Sequence, residues 1–97
     1  MRPFSPGYGS GIAVSLTTTS AQGLLVMNAS SVRVTNIGVV AVFFKIGDSS
    51  AVATNKDVYL PSGETMIVSK ALYHDTIAAI SVSSTAILRA ICGEGGV

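Results

Sequence analysis

Charge is what this sequence has least of. Six of its 97 residues are Lys or Arg and five are Asp or Glu, so charged side chains supply 11% of the chain, against roughly 25% in ordinary soluble proteins. Tryptophan is absent, and there is one cysteine, Cys92, and one histidine, His74. Each shortage excludes something. The cations Arg2, Arg33, Lys45, Lys56, Lys70 and Arg89 are scattered along the chain. Nucleic acid needs several phosphate contacts from one cluster, so no nucleic-acid partner is expected. Three Tyr and three Phe are a thin supply for a base-stacking platform. A lone cysteine closes no internal disulfide, and its place near the end of an apolar strand predicts a small buried hydrophobe. One Cys with one His is too few for a zinc site, and the spacing of Asp48 and Asp57 fits no calcium loop. No metal or cofactor is expected. His74 and Asp75 are sequence neighbours, whereas catalytic dyads meet through the fold, so no enzyme is expected either. The longest apolar run, Val39 to Phe44, is too short to cross a membrane, and no membrane partner is expected. Met1-Arg2-Pro3 leads into Gly and Ser rather than an apolar signal segment, which predicts folding in a reducing cytoplasm.

Ser, Thr, Ala and Gly take the place of the missing charge, while hydrophobic residues make up 48% and the formal charge is +1. A nearly neutral surface of small residues repels neighbours weakly and suits packing against other protein copies. At this length a single domain is expected.

The apolar residues recur with period two. Ile12, Val14 and Leu16 alternate with Ala13, Ser15 and Thr17, and Val32 and Val34 alternate with Arg33 and Thr35, as in half-buried strands. Further strands are expected at Gln22 to Met27, Val39 to Ile46, Val58 to Leu60, Glu64 to Lys70, Thr76 to Val82 and Thr85 to Cys92. A short one is possible at Ala51 to Ala53. No window carries helical periodicity with caps. Ser31 to Gly47 reads as a hairpin turning at Asn36-Ile37-Gly38, with Gly38 as a left-handed turn residue. Thr76 to Cys92 reads as a second hairpin through Ser83-Ser84. Pro61-Ser62-Gly63, with Pro second and Gly fourth, predicts a type I turn.

The expected fold is therefore all-β: one small β-sandwich of seven or eight short antiparallel strands, jelly-roll-like or alternatively immunoglobulin-like. Its expected bounds are residues 12–92, between an extended, flexible N-terminal arm over 1–11 and a flexible tail over 93–97.

In Val39 to Ile46 one face carries Val40, Val42, Phe44 and Ile46 and the other Val39, Ala41, Phe43 and Lys45. Only one face can enter the single core. Val39 and Phe43, on the other, are candidate assembly contacts, together with the arm's aromatic anchors Phe4 and Tyr8. A second candidate is a ligand-binding loop surface formed by Tyr59, Tyr73 and His74, with Lys70 beside them.

The segments V-R-V-T-N-I-G, A-V-F-F-K-I-G, L-P-S-G-E-T, I-A-A-I-S-V-S-S-T-A-I-L and G-E-G-G follow one another across residues 31–96. In these the chain resembles small virion proteins of tailed bacteriophages. The resemblance implies a structural role without catalysis: a capsid decoration or cement protein, homo-oligomeric and often trimeric, that binds the major capsid protein lattice. Its implied location is the virion, assembled in the host bacterial cytoplasm. The alternative is a head-fibre or tail-associated module that recognises a host-surface glycan, with other virion proteins as partners.

Overall fold

The computed structural model describes residues 4–6, 11–25 and 29–96. Among these the chain forms nine strands: β1 Ser5–Pro6, β2 Ile12–Leu16, β3 Ala21–Leu24, β4 Ser31–Asn36, β5 Val42–Gly47, β6 Val58–Leu60, β7 Thr65–Ser69, β8 Thr76–Ser81 and β9 Ala86–Glu94. They make two antiparallel sheets. One runs β1-β9-β4-β7, with β2 also against β9, and the other runs β3-β8-β5-β6. The pairs nest: β2 with β9, β3 with β8, β4 with β7 and β5 with β6. A ribbon folded at the β5–β6 connection and then rolled up gives this order, which is a jelly roll rather than an immunoglobulin-like sandwich.

The period-two reading survives in the core. Val14 and Leu16 of β2, Val32 and Val34 of β4, Val42 and Phe44 of β5 and Leu88 of β9 point inward and are buried. Met66 and Val68 of β7 pack against them from the edge. Cys92 is buried on the same inner face. Fully burying a side chain of this size stabilises by about 1.5–3 kcal/mol, so one continuous cluster can hold a domain this small.

The pairing departs from the sequence reading at both expected hairpins. β4 and β5 lie in opposite sheets, so residues 37–41 form a corner between layers and not a hairpin turn. β8 and β9 are likewise in opposite sheets, joined across residues 82–85, where Ser84 adopts φ 48. The physical reason is the rolling: a short connection can cross the sandwich as readily as it can reverse within a sheet. Gly38 has no positive φ. It is a glycine because an added Cβ would stand 2.9 Å from the Ala86 Cβ and 3.0 Å from its Cα. The hydrogen-bonded turn near Pro61 also starts one residue later than expected. Glu64 N–H donates to the Pro61 carbonyl at 3.2 Å. Gly63 has φ 78 in third place, where a type II turn demands glycine.

Two bounds also move. Ser5 and Pro6 pair with Glu94 and Gly93, so part of the expected arm is a strand on its own sheet, and β9 runs two residues into the expected tail. No strand forms at Ala51 to Ala53. Instead, Ala51 and Ala53 are buried against Ala78, with Ile80 beside them, as the segment between β5 and β6 crosses the outer face of the second sheet.

Candidate functional site

The described residues offer two shallow depressions on the surface of the sandwich. At one end of the sandwich the corner 37–41 is built on Asn36, the last residue of β4. Its Nδ2 donates to the carbonyls of Val40 at 2.8 Å and Leu60 at 3.1 Å, and its Oδ1 accepts the Gly38 N–H at 2.9 Å. The Ser62 hydroxyl donates to the Gly38 carbonyl at 2.6 Å. So fixed, the corner holds Val39 out with 87% of its surface exposed. Exposed Ile37 in the same corner donates its N–H to the carbonyl of exposed Ile87, and exposed Val82 donates its N–H to the Ala41 carbonyl at the corner's end. A depression of about 450 Å³ runs beside it between Leu16, Thr17, Val39 and Ile87. Single exposed apolar residues are ordinary on proteins, but a contiguous rim of them marks a contact surface.

Phe43 is on the outer face of β5, as the alternation predicts, opposite Tyr59 of β6 and Ile80 of β8. It is half-buried, and its ring meets that of Tyr59 at 5.4 Å between centroids. The segment over 48–57 roofs the rest of this face. The Gln22 side chain holds it by donating to the carbonyls of Ser49 at 3.0 Å and Ala51 at 2.7 Å, and Ala53 N–H donates to the Ser20 hydroxyl at 2.9 Å. A loop of the chain itself therefore provides much of the cover that this apolar face needs.

At the other end, Tyr73 and His74 meet edge to face at 4.7 Å between centroids. Tyr73 is 70% exposed. Lys70 lies under the loop that carries them, its Nζ donating to the carbonyls of His74 at 2.8 Å, Ala71 at 3.2 Å and Leu72 at 3.4 Å. Its role is to hold the loop, not to face a ligand. Tyr59 does not join Tyr73 and His74; its ring partner is Phe43. The predicted trio is thus a pair.

Phe4 folds back onto its own sheet, where the Arg33 guanidinium stands 5.6 Å from its ring centroid and the backbone at Gly96 approaches closely. Tyr8 lies outside the described residues. Arg33 and Arg89, scattered in sequence, come to adjacent strands on the same outer face, because Arg33 pairs with Ile91 and Thr35 with Arg89. Their outward parity was readable in each strand, but the β4–β9 pairing that joins them was not. Among the described residues, no three His, Cys, Asp or Glu side chains gather as metal ligands would. No described helix is long and apolar enough to cross a membrane.

No family model matches the chain, and no curated protein matches it. Solved structures do. PirA superposes with a TM-score of 0.54 at 12% identity over 89% of this chain and 95% of its own. A de novo designed double-stranded β-helix gives 0.52 at 19% identity over 87% and 97%. Hydroxypropylphosphonic acid epoxidase from S. wedmorenis, in complex with fosfomycin, gives 0.52 at 18% identity over 84% of this chain but 42% of the epoxidase chain. The likeness is one of fold. The present chain spans less than half of the epoxidase, and identities this low carry neither substrate nor chemistry across.

Proposed function

We propose that this jelly roll is a non-catalytic structural subunit of a virion, a decoration or cement protein that attaches to a major capsid protein lattice and stabilises it. The observation that carries the reading is the apolar end of the sandwich, where a rigid corner presents Val39 beside Ile37, Val82 and Ile87. A surface with so little charge fits an interface, whose core is depleted in charged residues. Weak contacts repeated over a lattice add up through avidity, so no deep site is required. The resemblance of residues 31–96 to tailed-phage virion proteins supports a phage capsid as the lattice. Homo-oligomers, with a trimer as the first expectation, belong to the same reading.

The test is attachment. The wild-type protein should co-purify with capsids at high copy number, and capsids lacking it should burst at lower temperature. Val39→Glu, exposed and outside any strand, should leave the unfolding midpoint unchanged and abolish attachment. Particles holding only a few copies, or normal decoration by Val39→Glu, would overturn the proposal. A second reading, a head-fibre or tail-associated glycan binder, rests on the exposed Tyr73 ring with His74 against it. Saturable binding to host polysaccharide that Tyr73→Ala removes would support it, and a silent glycan array would end it.

A further inference from the structure

The outer face of the sheet containing β9 and β4 brings two cations together, Arg33 and Arg89. Arg33 and Arg89 project from adjacent strands two residues apart in register, with Thr35 directly opposite Arg89. Diagonal neighbours in a sheet lie about 7–8 Å apart, close enough for both guanidinium groups to reach one group. The registers put Ala13 and Thr65 beside this row and Ile67 beside Arg33, so no carboxylate faces either arginine from a neighbouring strand. Among the described residues neither has an ion-pair partner.

The two arginines border a shallow depression of about 200 Å³ whose lining includes Gly11, Ile91 and Thr35. It exists because Gly11 leads into β2 without a side chain while Ile91 stands beside it. Arg33 is held on one side by the Phe4 ring, and Thr35 is fixed by a 3.1 Å hydroxyl contact with Thr65. Two forks of N–H donors, a hydroxyl and an apolar floor suit one acidic side chain, with oxygens toward the guanidinium groups and methylenes over Ile91.

We infer that this face is a binding site for the carboxylate of an acidic segment on a partner protein. The site adjoins the apolar end, since Ile87 and Arg89 are successive outward residues of β9, but it does not depend on the capsid reading and would stand if that reading fell. Its size decides against larger ligands, since small-molecule pockets start at about 300 Å³. Its charge decides against nucleic acid, which needs a longer run of cations.

The experiment uses the isolated full chain, labelled with ¹⁵N, and titrates it with the peptide acetyl-Gly-Glu-Gly-Glu-Gly-amide at low salt. Saturable amide shifts centred on Arg33, Thr35, Arg89 and Ile91 are expected. They should vanish with the matching Gln peptide and weaken as salt is raised. Arg33→Gln and Arg89→Gln should each weaken binding about two- to five-fold, the range for exposed ion pairs. Arg89→Lys, which keeps the charge and loses the fork, should fall between. Equal shifts from the Gln peptide, shifts elsewhere on the surface, or tighter binding of inorganic phosphate than of the Glu peptide would overturn the inference. Because no capsid enters the measurement, its outcome is independent of the attachment test.

Discussion

Asn36 and Lys70 hold opposite ends of the same sandwich in comparable ways. One is the last residue of β4 and the other follows β7, and these strands are antiparallel neighbours, so the two residues sit at opposite ends. Each is buried, and each donates to the carbonyls of the connection that follows it. They differ in charge and in how completely they close. Asn36 both donates and accepts, so all of its capacity can be met inside, and its exposure is 0%. Lys70 has donors only, keeps 9% of its surface in water, and carries an ion that burial disfavours. A neutral amide can therefore seal a corner, whereas an ammonium suits a loop that stays partly wet. The two candidate surfaces follow the same division: the sealed end presents exposed Val39, and the wetter end carries the Tyr73–His74 pair.

The largest effect should come from removing the sealed pin. Asn36→Ala leaves the carbonyls of Val40 and Leu60 and the Gly38 N–H without their partner. At roughly 1–3 kcal/mol for each group left buried and unpaired, and with some relaxation, a loss of about 3 kcal/mol is expected in urea unfolding. A loss below about 1 kcal/mol would mean that water reaches the corner, and the contrast between the two ends would fail.

Gly38→Ala sharpens the comparison from the side of sterics. The new methyl would meet Ala86, and the expected cost is about 1–3 kcal/mol. Adding Ala86→Gly removes the nearer contact but not the 3.0 Å approach to its Cα. The double variant should therefore recover part of the loss. Full recovery would show that the backbone at this corner yields, and no recovery would show that the barrier is the backbone itself.

These residues also show how far the sequence was legible. Alternation placed Val32, Val34, Val42 and Phe44 inside and Phe43 outside, because burial acts on each strand through its own period of two. Pairing was not readable, because it depends on which sheet a strand joins after a short connection. Asn36-Ile37-Gly38 has hairpin chemistry and even forms the local contact from the Gly38 N–H to the Asn36 side chain. It nevertheless crosses from one sheet to the other. The surfaces share that limit: parity puts Phe43 on the outer face of β5, but Val39 is exposed because the corner 37–41 lies outside the strand. Tyr59 pairs with Phe43 rather than Tyr73, and only the β4–β9 pairing joins Arg33 to Arg89.

The smallest effect belongs to Lys70. Its three carbonyl contacts lie beneath an accessible loop, where water can replace part of what is lost, so Lys70→Met should cost about 1 kcal/mol near neutral pH. It should also loosen the loop and raise amide exchange at Tyr73 and His74 while leaving residues 37–41 unaffected. The sharper readout is pH. Desolvation pushes the Lys70 pKa below the ordinary 10.5, against the opposing pull of Cys92, Asp75 and Glu94. Between the lowered folded pKa and 10.5 the unfolded chain binds the proton that the folded chain has released, so stability rises with pH through that window. Below it the penalty for burying the ion is fully present. Lys70→Met lacks this term, so the stability difference between wild type and variant should move in favour of wild type as pH climbs toward 10.5. Urea midpoints for both proteins across that range measure it, and taking the difference cancels the titration of other groups common to the two. A difference that stays flat or falls would place the ammonium in water, and Asn36 would then be the only one of the two that works from inside.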